Sequence, residues 1–168
     1  MRFTATTVYS REKLANFNKF VALEKKWFWV FLSACTIITL TSFILLLYFK
    51  TVDKTVLFGL SLIALIDVFY IVITFVIPKF AAKKSPALDA EINFEFYNDC
   101  FSVKALTKTG HETAEHRYSI IKKARGYKDS IYLYIAKQQA YIVDKSTLKP
   151  DSIEDFMLFL KNRNIDTK

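Results

Sequence analysis

Asp67 is the residue of this chain on which chemistry bears hardest, because it is the one ionisable side chain in the apolar run Thr55–Ile77. A charge near the centre of a bilayer costs at least about 2.5 kcal/mol, so such residues face a partner or a water-filled path. If the chain reverses near Val52, Asp67 lies level with Ile37 on the preceding apolar run, within a turn of Thr36 and Thr39. Two chemistries are open to that constellation. A carboxyl hydrogen-bonded to a hydroxyl glues a helix pair or an oligomer together. The alternative is a proton or ion relay, which two helices per chain would need an oligomer to enclose.

Elsewhere the reactive residue types fall in unreactive patterns. His111 and His116 are five apart on or beside a strand, which aims them at opposite faces. With Cys100 as the one nearby cysteine they do not make a zinc set. The three glycines, Gly59, Gly110 and Gly126, form no phosphate-cradling loop. Glu112, Glu115 and Asp129 read as solvated strand and turn positions, and no nucleophile motif is present. No catalytic residue, cofactor or metal is therefore expected, and the expectation is a non-enzymatic protein. Tyr127, Tyr132, Tyr134 and Tyr141 carry the other binding chemistry. Strand alternation sends some of them inward, and the rest would form an aromatic face of the kind used for partners.

The elements that must position these residues follow from where the apolar side chains and charges lie. Hydrophobic residues make up 52% of the 168, and they crowd into Trp27–Ile77. Trp27–Phe49 and Thr55–Ile77 are each long enough to cross a hydrocarbon core of about 30 Å. Only Lys50–Lys54 separates them, so they form an antiparallel transmembrane hairpin, with Pro78 expected to end the second helix. Trp27, Trp29, Tyr48 and Phe49 lie at the span ends, where amphipathic rings prefer to sit. Cys35 in the first span and Cys100 in the tail lie in different phases and do not pair. The net charge of +8 is concentrated beside the spans. Residues 1–26 hold six Lys/Arg, residues 79–87 hold three, and the hairpin turn holds two, which puts both termini in the cytoplasm. Residues 88–168 carry thirteen basic and twelve acidic side chains, without the basic stripe that nucleic acid requires.

Four regions result. Residues 1–26 are a cytoplasmic or interfacial segment. Within it Leu14, Phe17, Phe20 and Val21 give Arg11–Lys26 an apolar helical stripe. That stripe lies in the membrane interface or packs on the tail domain, and residues 1–10 form a short strand or are disordered. Residues 27–78 are the hairpin, and 79–87 a basic linker. Residues 88–168 form a small α+β domain. Its period-two strands run near Ile92–Phe96, Phe101–Ala105, Glu112–Tyr118, Ile120–Tyr127, Ser130–Ala136 and Ala140–Val143. Asn98-Asp99, Lys108-Thr109-Gly110-His111 and Lys128-Asp129 turn them. Asp151 as N-cap with Glu154 opens a closing helix of about ten residues, with Ile153, Phe156, Met157 and Leu160 on its apolar face.

The stretch Tyr118-Ser119-Ile120-Ile121-Lys122-Lys123, then Ile131-Tyr132-Leu133-Tyr134, then Ala140-Tyr141-Ile142-Val143-Asp144-Lys145 resembles the YcxB-like family of bacterial membrane proteins, as does the order of elements. Asp144 stands where the family tends to have proline, and Ile120 where an acidic residue is common. The resemblance implies a bacterial inner-membrane protein with a pleckstrin-homology-like domain and brings no established activity. The expected function is an interaction module at the inner membrane surface, with the bilayer, a protein and a second copy through the hairpin as partners. An immunity protein against a membrane-acting toxin or bacteriocin is the alternative. A small transporter or channel subunit, resting on Asp67, is a third.

Overall fold

The first strand pairs with residues from beyond both apolar runs, and that pairing organises the molecule. The computed structural model describes residues 3–24, 26–49, 54–107, 110–150 and 152–167. β1 (Phe3–Val8) buries Phe3, Ala5 and Thr7 on one face, as strand alternation requires. Ser10 then accepts the Lys13 N–H at 3.3 Å and caps α1 (Arg11–Leu23). Residues 1–10, open between strand and disorder on sequence, thus supply a strand over Phe3–Val8.

Two apolar helices follow, α2 (Lys26–Phe49) and α3 (Lys54–Ile71). Helix α3 does not end at Pro78 as the sequence suggested. It widens into a π-helical turn at Val72–Val76, where the Ile77 N–H donates to the Val72 carbonyl, and resumes as α4 (Ile77–Lys83). Proline has no N–H for an α-helical bond and its ring crowds the preceding turn. Widening that turn accommodates the ring, and Pro78 then sits in the first turn of α4, where its missing N–H costs nothing. Much of the expected linker 79–87 is therefore helix. Among the described residues one helix, Leu57–Lys83 with 27 residues, is long and apolar enough to cross a membrane. The apolar stretch described in α2, Trp29–Leu45, is shorter. Ile38, Leu40 and Ile44 of α2 and Leu65 and Phe69 of α3 point outward, each more than half exposed. The Trp29 and Tyr70 rings meet edge to face at 5.5 Å between the helices. The hairpin apex near Val52 and the side chains of Trp27 and Phe49 lie outside the described residues, as do Lys108, Thr109 and Asp151.

Two four-stranded sheets form the domain. The first has the order β1, β2 (Glu91–Phe96), β3 (Cys100–Thr107), β4 (Gly110–Arg117), antiparallel throughout. The second has the order β7 (Gln139–Asp144), β6 (Ser130–Ala136), β5 (Lys123–Tyr127), β8 (Asp166–Thr167), with β8 parallel to β5. Phe3, Phe94, Phe96 and Phe101 of the first sheet join Ile131, Leu133 and Val143 of the second in one buried core. α5 (Ile153–Lys161) closes it, with the Phe156 ring against Phe3 and Phe96 at 5.2 and 4.9 Å. Ser152 caps α5, its Oγ accepting the Asp155 N–H at 3.2 Å. The expected fourth strand begins at Lys123 rather than Ile120, because Tyr118–Ile120 forms a 3-10 turn. The Tyr118 hydroxyl donates to the Tyr97 carbonyl at 2.8 Å from that turn.

Candidate site at the junction of helix and sheet

Strand β6 is buried on both faces, which a strand in a two-layer sandwich with one solvated face would not be. Ile131 and Leu133 face the inter-sheet core, so Tyr132 and Tyr134 point to the outer face. Helix α1 covers them there. Phe17 meets the Tyr132 ring edge to face at 5.1 Å and the Tyr134 ring at 6.0 Å. Phe20 packs on Tyr127 at 4.9 Å and Tyr132 at 5.4 Å. The apolar stripe of α1, open on sequence between interface and domain, is thus spent on the second sheet.

Polar contacts fix α1 at its ends. The Lys13 ammonium pairs with Asp144 at the end of β7, and Lys123 pairs with Glu24 at 2.5 Å. Lys128 Nζ donates to Asn16 Oδ1 at 3.1 Å. Burial alone would raise the Asp144 pKa, but hydrogen bonds from Lys13 and Ser146 outweigh it and hold the carboxyl below its usual range. Burial pushes the Tyr134 hydroxyl up to about 12 and raises Tyr132 as well, so both rings stay neutral.

The opposite side of α1 leans on the far end of the long apolar helix. Asn18 Nδ2 donates to the Pro78 carbonyl at 3.5 Å, and the Lys19 ammonium sits over the Phe75 ring, 4.6 Å from its centroid. Between α1, α4 and the β5–β6 turn lies a cleft of about 530 Å³, lined by Arg11, Glu12, Asn16, Lys19, Lys79 and Lys128 over a floor that includes Phe75 and Pro78. Four cations thus meet one carboxylate, drawn from three distant stretches of chain. Among the described residues none of these four cations forms an ion pair. Sequence alone scattered them: Arg11 and Lys19 as the polar side of a helix, Lys79 as linker, Lys128 as a turn residue. The available signal was that the first three border the apolar spans.

The remaining expected site residues fall as follows. Tyr141 faces the inter-sheet core, with its ring beside Phe94 and Phe101 and its hydroxyl 3.0 Å from His116 Nε2. Of the four tyrosines, Tyr132 and Tyr134 are buried and Tyr127 and Tyr141 half-buried, so the aromatic face is covered by the chain's own helix and core. His111 is exposed, and His116 packs on Phe101. Thr36 Oγ1 lies 3.4 Å from an Asp67 carboxylate oxygen and 3.1 Å from the Leu32 carbonyl of its own helix, which share its one proton, and Thr39 donates to the Cys35 carbonyl of its own helix at 2.9 Å. The second oxygen of Asp67 is buried without a partner among the described residues. A second groove of about 550 Å³ runs over the first sheet beside Glu95, Tyr97, Asp99, Cys100, Lys104 and Glu115. There the Cys100 thiol pKa is raised, first by its hydrogen bond to Glu115, which opposes nucleophilic use. Among the described residues no group of three or more His, Cys, Asp or Glu is placed to hold a metal.

Residues 101–160 match the family model described as YcxB-like protein. The match runs from β3 into α5 and contains Lys128, while Arg11, Lys19 and Lys79 lie outside it. No curated protein and no solved structure matches the chain.

Proposed function

We propose that this chain, YcxB-like in its later strands and closing helix, is a two-span protein of the bacterial inner membrane whose β domain works without catalysis as an interaction module on the cytoplasmic face. The pairing of β1 with β2 carries the reading. Phe3↔Phe96 through Val8↔Glu91 form one ladder, so these strands lie on one side of any bilayer. An apolar helix crossing between them must be matched by a second crossing. Among the described residues α2, a helix of 24 residues, is available for it. The Lys/Arg excess on both flanks puts the domain side in the cytoplasm.

Because α1 packs on both the second sheet and α4, it ties the domain to the end of the apolar helix. Four strands, three strands and a closing helix, in that chain order, also suit a pleckstrin-homology-like layout with the hairpin inserted between its first two strands. With Tyr132 and Tyr134 covered by α1, two surfaces open to partners are the groove over the first sheet and the cleft at the junction.

Reporter fusions test the topology. Reporters at both termini should read cytoplasmic, and one inserted in the 50–54 turn should read external. A terminus on the outer side overturns the proposal. Chemical cross-linking of the full chain in its membrane, followed by isolation, should then recover a specific partner.

A further inference from the structure

We infer that the cleft between α1 and α4 binds the phosphate of an anionic lipid headgroup in the leaflet facing the domain, an inference that rests on the membrane reading above. Three observations converge on it. The first is charge: Arg11, Lys19, Lys79 and Lys128 face one cavity with Glu12 as the single carboxylate, and none of the four is neutralised by an ion pair among the described residues. The neighbouring cations Lys13 and Lys123 are paired, so the vacancy belongs to the cleft rather than to the helix at large. Arginine and lysine together supply the fork and point charges that recognise a phosphate.

The second is depth. At about 1.5 Å per residue, a hydrocarbon core of about 30 Å entered at Leu57 is left near Val76. Pro78 and Lys79 then lie at headgroup level, beside the rim of the cleft. The third is the wall. Phe75 and Pro78 give the cleft an apolar side, and Val68, Ile71 and Val72, which precede them on the same apolar helix, are exposed. A lipid can therefore seat its phosphate among the cations and lay its chains along the apolar helix on the bilayer side of Val76. A soluble phosphate would leave that wall unused.

The test uses the full chain in non-ionic detergent, with phosphatidylglycerol and phosphatidylcholine titrated separately and the bound fraction read by native mass spectrometry. Wild type should prefer phosphatidylglycerol, and Arg11→Gln, Lys19→Gln and Lys79→Gln should each weaken it about fivefold, the loss expected for one cation near an anionic surface. Lys19→Arg with Lys79→Arg should keep the preference, and Lys104→Gln with Lys161→Gln, away from the cleft, should leave it unchanged. Lys128 is left intact because its positive φ and its bond to Asn16 make it part of the turn. Equal phosphatidylglycerol binding by wild type and the triple glutamine variant overturns the inference. So does displacement of the lipid by inorganic phosphate, which would assign the cleft to a soluble anion. Failure of the wild type to enter phosphatidylcholine nanodiscs at all would instead strike the membrane reading.

Discussion

Replacing Asp144 by alanine removes two connections at once. Its carboxylate pairs with Lys13, tying α1 to the end of β7, and its other oxygen accepts from the Ser146 N–H at 2.9 Å and the Ser146 hydroxyl at 2.8 Å. A hydrogen bond to a charged group contributes about 1.5–3 kcal/mol, and a capping side chain about 0.5–2 kcal/mol. The Lys13 side chain keeps 23% of its exposure and Asp144 12%, so solvent screens the pair in part. A total loss of about 2–4 kcal/mol follows, measured as the urea unfolding midpoint of the full chain in detergent by near-ultraviolet circular dichroism. The effect also carries a pH signature. The Asp144 pKa is held below its usual 3.8 in the folded protein. A carboxyl depressed on folding contributes stability that is present above its unfolded pKa and lost as pH falls through its folded one. The gap between wild type and Asp144→Ala should therefore be full at neutral pH and close in strong acid. A difference under about 0.5 kcal/mol at neutral pH, or one that persists unchanged in strong acid, refutes the clamp.

Phe17→Ala should cost about 2–3 kcal/mol by the same assay, below the range for a fully buried Phe because Phe17 is half-buried, while Leu158→Ala on the exposed side of α5 should stay within about 0.5 kcal/mol. Gly126→Ala should be neutral or stabilising by up to about 1 kcal/mol in thermal unfolding, since the added methyl would meet only the flexible end of Lys145 at 3.7 Å and the unfolded chain loses freedom. A fragment of residues 88–168 should fail to give a cooperative unfolding transition, because it lacks β1 and uncovers Tyr132 and Tyr134. Asp67→Ala should lower the oligomeric mass in detergent if the unpartnered oxygen reaches a second copy, and an unchanged mass would leave the Thr36 contact as its whole role.

The parts of the fold legible in the sequence were those set by local periodicity. Strand Ser130–Ala136 alternates, reads as a strand, and is one; of the expected apolar face of α5, Phe156 and Leu160 are buried, whereas Ile153 is exposed and Phe159, outside that face, is buried. What local patterns could not carry was distance along the chain. Nothing within Phe3–Val8 says that its ladder partner begins at Glu91, and nothing near Phe17 says that its ring will meet Tyr132. The junction cleft was hidden for the same reason, since its cations are neighbours only after folding. Pro78 misled in a different way. Proline does bar a continuous α-helix, but a single π turn upstream lets the helix proceed, and a breaker rule does not foresee that remedy.

The ladder between β1 and β2 also fixes an order of events during synthesis. On the two-span reading proposed above, β1 leaves the ribosome before its partner strand, which is made only after both apolar helices have been delivered to the insertion machinery. The strand must wait unpaired through membrane insertion, and the closing of so long a loop is the slow kind of contact to form. FTATTV is uncharged, rich in β-prone residues and free of proline and glycine, so until β2 arrives it is an exposed edge open to wrong pairing. On that same reading, folding of the domain becomes a checkpoint on insertion: a chain whose hairpin failed to return to the starting side would leave its first and second strands on opposite sides of the bilayer and could not complete the sheet.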